Sequence, residues 1–135
     1  MVLKWFLPEA GRSGAEDLLT GFLSGTVSLY APDLLLIEAA SALRRRAVVL
    51  KELAPADAKA IFRDLLTLPL NFQPLERLAT SEFSLAIVHR DSAYDSVYCA
   101  LAIEMDCEFV TADRKLVAKL GRGLPFIRHL SVVRL

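Results

Sequence analysis

Tyr94-Asp95-Ser96-Val97-Tyr98-Cys99-Ala100-Leu101-Ala102, followed after a short gap by Val110-Thr111-Ala112-Asp113-Arg114-Lys115-Leu116, decides the fold of this chain. The first run places Tyr94, Val97, Tyr98, Leu101 and Met105 at i, i+3, i+4, i+7 and i+11, the apolar stripe of a helix laid on a core. Ser92 precedes it, with Asp95 three residues on. That is a capping-box pattern, and it predicts a helix from Ser92 to Met105. The second run changes from strand formers to helix formers at Asp113. It predicts a strand over Glu108–Thr111 and a short helix over Asp113–Leu120.

The alternation continues outward in both directions. Thr26–Ala31 is rich in β-formers and bounded by Gly25 and Pro32, so it reads as a strand. Asp33 to about Val48 reads as a helix, with Arg44-Arg45-Arg46 near its end, where the helix dipole favours cations. A helix over Pro55–Leu68 carries Ala56, Ile61, Leu65 and Leu66 at helical spacing. An extended segment over Leu70–Leu75, a helix over Glu76–Arg90 and a strand over Pro125–His129 complete that half. Upstream, Val2–Leu23 is helical, broken by Pro8 and the Gly11–Gly14 stretch. Strands alternating with helices imply an α/β fold with a largely parallel sheet covered on both faces. Any site then falls at the carboxyl edge of the strands. No repeat, low-complexity tract or linker divides the chain, so residues 1–135 are expected to form one domain.

Composition narrows the functions open to it. With 54% apolar residues in 135, the chain can bury a core without disulfides or a structural metal. Its formal net charge of zero supplies no general attraction to nucleic acid or anionic membrane, so any nucleic-acid binding must come from local Arg and Lys clusters. Cys99 and Cys107 match neither a CxxC pair nor a zinc knuckle and read as buried, reduced thiols. His89 and His129 have no histidine or cysteine at ligand spacing and take no catalytic role. The opening Met1–Leu7 run is interrupted by Pro8 and Glu9 before it could form a signal-peptide core, and no apolar stretch approaches the roughly 20 residues of a membrane span. A cytoplasmic protein with no membrane partner is expected.

Three carboxylates stand out from the sixteen acidic residues. Glu38 lies in Leu34-Leu35-Leu36-Ile37-Glu38-Ala39-Ala40, and its helical neighbours Leu34, Leu35, Ser41 and Ala42 include no cation. Such a charge must reach water, a tertiary cation or a metal, or stay protonated; a rim position is the plain alternative. Asp95, in a first helical turn, reads on its own as a capping residue. Asp113 reads either as an N-cap or as a ligand at the sheet's carboxyl edge. Each signal is weak singly; their value lies in occurring together.

In this order these residues resemble the PIN-domain family, and especially the VapC-type toxin ribonucleases of type II toxin–antitoxin systems. The resemblance rests on Leu3-Lys4-Trp5-Phe6-Leu7-Pro8-Glu9, on Pro32 to Arg45 around Glu38, and on the two runs quoted first. It implies a PIN-like three-layer α/β/α sandwich and an acidic site for Mg²⁺ or Mn²⁺, which hard oxygen donors suit. Glu38, Asp95 and Asp113 map onto three of the family's acidic positions and would be the metal ligands, with Thr111 as a polar catalytic companion. Arg44, Arg45, Arg46, Arg114 and Lys115 would contact RNA phosphates, or else form a solvated helix face. The implied activity is metal-dependent endoribonuclease, the implied partners an RNA substrate, a cognate antitoxin and a second copy in a homodimer.

One departure bears on the fold. The family pattern opens with a strand ending in an Asp, which would fall about three positions ahead of Met1. That first strand and first carboxylate are missing from the sequence. Because strands lie about 4.8 Å apart, loss of a central one is expected to leave a gap near 10 Å, with two edges lacking partners. A catalytically inactive, truncated PIN-like module that binds antitoxin or RNA is the rival reading. A nucleotide-binding domain is disfavoured, because the glycines fit neither GxGxxG nor GxxxxGK[ST].

Overall fold

The computed structural model describes residues 1–7, 13–90 and 93–133; Pro8, Glu9, Gly11 and Ser92, singled out above, lie outside them. The chain opens in a 3-10 turn, Val2–Trp5, whose Trp5 donates its indole N–H to the Ala15 carbonyl at 2.8 Å. This pins the opening turn to α1 (Ser13–Leu23). Next come β1 (Tyr30–Pro32), α2 (Leu34–Arg44), α3 (Pro55–Thr67), β2 (Asn71–Gln73), α4 (Leu75–His89) and α5 (Ala93–Glu104). The last elements are β3 (Phe109–Thr111), α6 (Arg114–Leu120), β4 (Ile127–His129) and a 3-10 turn, Leu130–Val132. The fold is mixed α/β with short parallel strands.

Two elements differ from expectation for local reasons. The strand expected from Thr26 begins only at Tyr30, because Thr26 and Val27 both donate their N–H groups back to the Gly21 carbonyl, at 2.9 and 3.1 Å. With Gly25 at φ 76° they form a Schellman stop for α1. The Arg44–Arg46 cluster does not cap a simple α-helical end. The helix widens into a π-helical segment, Arg45–Val49, in which Leu50 N–H reaches the Arg45 carbonyl at 2.9 Å.

The strands form two separate parallel pairs. β1 pairs with β2 in the register Tyr30↔Asn71, Ala31↔Phe72, Pro32↔Gln73, and β3 pairs with β4 in the register Phe109↔Ile127, Val110↔Arg128, Thr111↔His129. Among the described residues no strand joins the two pairs, so the sheet stands as two halves. Helix α5 packs against both β1 and β3. Val97, Cys99, Ala100, Leu101 and Ala102 are all buried, so α5 is covered on more than its apolar stripe, while Tyr94 at the stripe's head is 64% exposed. The small side chains of Cys99, Ala100 and Ala102 allow that close approach on several sides. Apolar packing is correspondingly divided: one cluster joins Trp5, Leu18, Ala39, Leu65 and Leu130, another joins Cys99, Leu116, Leu120 and Ile127. Among the described residues no helix is long and apolar enough to cross a membrane.

Candidate functional site

A cavity of about 440 Å³ opens between the two half-sheets, lined on one side by Val27–Ala31 and on the other by Cys107–Thr111. Glu38, Asp95, Thr111 and Asp113 all line it. Each arrives from a different element. β1 leads directly into α2, which carries Glu38; α5 carries Asp95 in its first turn; β3 ends at Thr111, and Asp113 starts α6.

Glu38 is half-buried, and its Oε2 accepts a 2.5 Å hydrogen bond from the Tyr98 hydroxyl. Tyr98 in turn stacks on Phe109 of β3, with centroids 5.4 Å apart and planes 9° from parallel. Burial raises the Tyr98 phenol well above its ordinary value, helped by the hydrogen bond to Glu38 and the negative charges of Glu38 and Asp95. Tyr98 therefore stays protonated and remains a donor. Glu38 has found an option the sequence reading did not weigh: a neutral tertiary donor. Tyr98 was legible only as a stripe residue. The signal that could have marked it is a phenol one turn after Asp95 on an otherwise apolar helix.

Asp113 does cap α6: its Oδ1 accepts from Lys115 N–H at 2.8 Å and Leu116 N–H at 3.1 Å. Thr111 Oγ1 accepts from the Asp113 N–H at 3.1 Å, which fixes the turn between β3 and α6. Arg44, Arg45, Arg114 and Lys115 are exposed. Arg46 is half-buried and within 4.0 Å of Glu52. Neither His89 nor His129 lines the cavity. His129 Nδ1 accepts the Ser131 N–H at 3.1 Å, a local cap.

The two cysteines separate. Cys99 is buried as expected, but Cys107 is exposed. It sits just past the left-handed Asp106 that ends α5 and lines the cavity. Desolvation, then the charges of Asp106 and Glu108, push its thiol up, so it is a poor thiolate nucleophile.

No protein-family model matches the chain. Comparison with characterised proteins is decisive instead. Ribonuclease VapC1 from two strains of Mycobacterium tuberculosis is 36% identical to it over 117 residues, 86% of this chain and 84% of the relative. This chain belongs to the VapC branch of the PIN-domain family. For a VapC-type protein the site has the right donors for a hard divalent ion, since carboxylate oxygens are what Mg²⁺ and Mn²⁺ take. Their spacing is another matter: among the described residues no three His, Cys, Asp or Glu side chains come close enough together to hold an ion. The negative charges of Glu38 and Asp95 both bear on Tyr98, whereas Asp113 is engaged at the start of α6.

Proposed function

We propose that this VapC-type chain is a metal-dependent endoribonuclease, the toxin of a type II toxin–antitoxin pair. One observation carries the reading: Glu38, Asp95 and Asp113, distant in sequence, line a single cavity with Thr111. Glu38 and Asp95 would hold Mg²⁺ or Mn²⁺, with Asp113 completing the set from the free side of its cap. The ion, when bound, supplies Lewis acidity at the scissile phosphate. Tyr98 positions the Glu38 carboxylate, and Thr111 orients the turn that presents Asp113. Arg114 and Lys115 begin α6, the helix end where cations are electrostatically misplaced; a bound phosphate would relieve that cost. Arg44 and Arg45 lie roughly 9 Å further along the α2 axis from Glu38, within reach of a neighbouring phosphate.

That the relative is a ribonuclease supports cleavage of RNA, and the same family membership supports a cognate antitoxin, a PIN-like three-layer arrangement and a single domain over residues 1–135. A second copy would cover the apolar face of α4, where Phe83, Ile87 and Val88 are exposed. Nearby, Glu82 Oε1 is buried with no hydrogen-bond partner among the described residues, and a partner's donor would satisfy it. Light scattering on the wild type and on Phe83→Glu checks this: the wild type runs as a dimer, the variant as a monomer.

The rival reading, an inactive module that binds antitoxin or RNA, draws on the split sheet and on the donors' failure to converge. One experiment separates the two. The purified chain is incubated with mixed RNA in Mg²⁺ or Mn²⁺, beside Asp95→Asn and an EDTA control. Cleavage that both controls abolish establishes the nuclease. No cleavage by a folded chain, together with antitoxin binding that Glu38→Ala leaves intact, establishes the binding module.

A further inference from the structure

We propose that a second, smaller pocket between α4 and α5 is a base-reading subsite, which selects a guanine in the RNA strand beside the scissile phosphate. The inference rests on the nuclease reading above and deepens it. The pocket, of about 200 Å³, is lined by Leu34, Leu75, Ala79, Glu82, Tyr94 and Val97. It is smaller than the roughly 300–1,000 Å³ of a site that encloses a whole ligand. That size suits one flat ring system whose sugar and phosphate stay outside. Glu82 separates it from a mere packing gap. Its Oε1 is buried with no hydrogen-bond partner among the described residues, and a carboxylate oxygen withdrawn from water requires a donor. Leu75, Ala79 and Glu82, at i, i+4 and i+7, share one face of α4. Phe83, Ile87 and Val88 stand roughly 100–240° further round the helix, so a second copy packed on them approaches from another side. The donor that Glu82 lacks therefore enters through the pocket.

Position ties this pocket to the carboxylate-lined cavity. On α5, Tyr94 and Val97 line the pocket while the adjoining Asp95 and Tyr98 line the cavity. On α2, Leu34 lies one turn before Glu38, roughly 6 Å along the axis. A strand with its phosphate at Glu38 and Asp95 can thus turn the neighbouring base into the pocket. Tyr94, 64% exposed, offers an aromatic face for stacking, and Leu34, Leu75 and Val97 supply apolar walls. Glu82 then reads the edge of the base. As a carboxylate it only accepts hydrogen bonds. Guanine alone among the four bases offers two adjacent donors on its Watson–Crick edge, N1–H and the N2 amino group, which match the two carboxylate oxygens. Adenine and cytosine carry a ring-nitrogen acceptor beside the amino group, and uracil flanks its N–H with two carbonyls. Each of these sets a lone pair against the carboxylate, and that repulsion is what discriminates.

The test uses the full chain and fluorescein-tagged RNA pentanucleotides in Ca²⁺, with strand integrity checked on a gel. Each carries uridines around one central guanine, inosine, adenine or cytosine. By anisotropy the guanine strand should bind about tenfold or more tighter than the adenine strand, the discrimination of a bidentate base contact. Inosine, which lacks only the N2 amino group, should fall between them. Glu82→Gln should level the series. Tyr94→Ala should weaken the guanine strand about tenfold through lost stacking, whereas Tyr94→Phe keeps the ring and the affinity. The inosine comparison needs no variant, so it stays decisive if one of these does not fold. The proposal is overturned if the strands bind alike or inosine equals guanine. It is also overturned if Glu82→Gln leaves the guanine preference intact and alters the dimer in light scattering; a second copy then supplies the donor. Asp95-dependent cleavage of mixed RNA without a guanine beside the cut sinks the subsite and leaves the nuclease standing. If no strand binds at about 0.1 mM protein, the weak end of non-specific nucleic-acid binding, and no RNA is cut, both readings fall together.

Discussion

At the scale of single residues, the pair Glu38–Tyr98 sets what the site can do. A carboxylate among Leu34, Leu35 and Ala39 is tolerable only because a phenol that does not ionise donates to it. Two outcomes follow from the raised Tyr98 pKa. In a spectrophotometric titration, Tyr98 should not ionise until the protein unfolds. The folded state holds the Tyr98 proton more tightly than the unfolded chain, whose phenol titrates near pH 10. That stabilisation is fully present below about pH 10 and is lost as the pH rises from there toward the folded value, so urea midpoints should fall above that point. Tyr98→Phe keeps the stack on Phe109 but leaves Glu38 without its donor. A loss of roughly 1–3 kcal/mol is expected in urea unfolding, and an unchanged midpoint would show that Glu38 reaches water. The carboxylates were legible because charge on apolar helices is conspicuous in a sequence. Tyr98 was not, because its partner lies 60 residues away and only the fold joins them.

At the scale of elements, two helices end in the same motif with different residues in the critical place. α1 stops at Gly25, at φ 76°. α5 stops at Asp106, at φ 48°, with Asp106 N–H to the Ile103 carbonyl at 3.3 Å and Cys107 N–H to the Ala102 carbonyl at 3.0 Å. A side chain in that region is strained where glycine is not. Asp106→Gly should therefore raise stability by about 1 kcal/mol, read as a higher urea midpoint. It should also lower the Cys107 pKa, since one of the charges holding that thiol up is removed; iodoacetamide labelling as a function of pH checks this. The same motif explains why helices were easier to read than strands. Periodicity marks α2 to α5 whatever they touch, because apolar spacing is written locally. Thr26 and Val27 have the composition of a strand, yet their N–H groups are spent closing α1, and a strand needs a neighbour to exist. Pro32 looked like a boundary and is instead the last strand residue, acceptable there because its missing N–H falls on the open edge.

At the scale of the whole molecule, the cavity between the two strand pairs governs stability. Closed and dry, a void of about 440 Å³ would cost on the order of 10 kcal/mol, comparable to the entire stability of a domain. The cavity escapes that cost by admitting water to its carboxylates. That parallel strands would alternate with helices could be read from residue order. How the remainder would settle could not, since it depends on α5 bridging β1 and β3 and on Tyr98 bracing Glu38 against Phe109. Ala102 offers a direct probe of this balance. It is buried on α5, lines the cavity and sits in a helix, where leucine is nearly as favourable as alanine. Ala102→Leu should extend into the open space and raise stability by about 1 kcal/mol, as cavity-filling changes commonly do. A lower urea midpoint would mean that the wall at Ala102 is already close-packed.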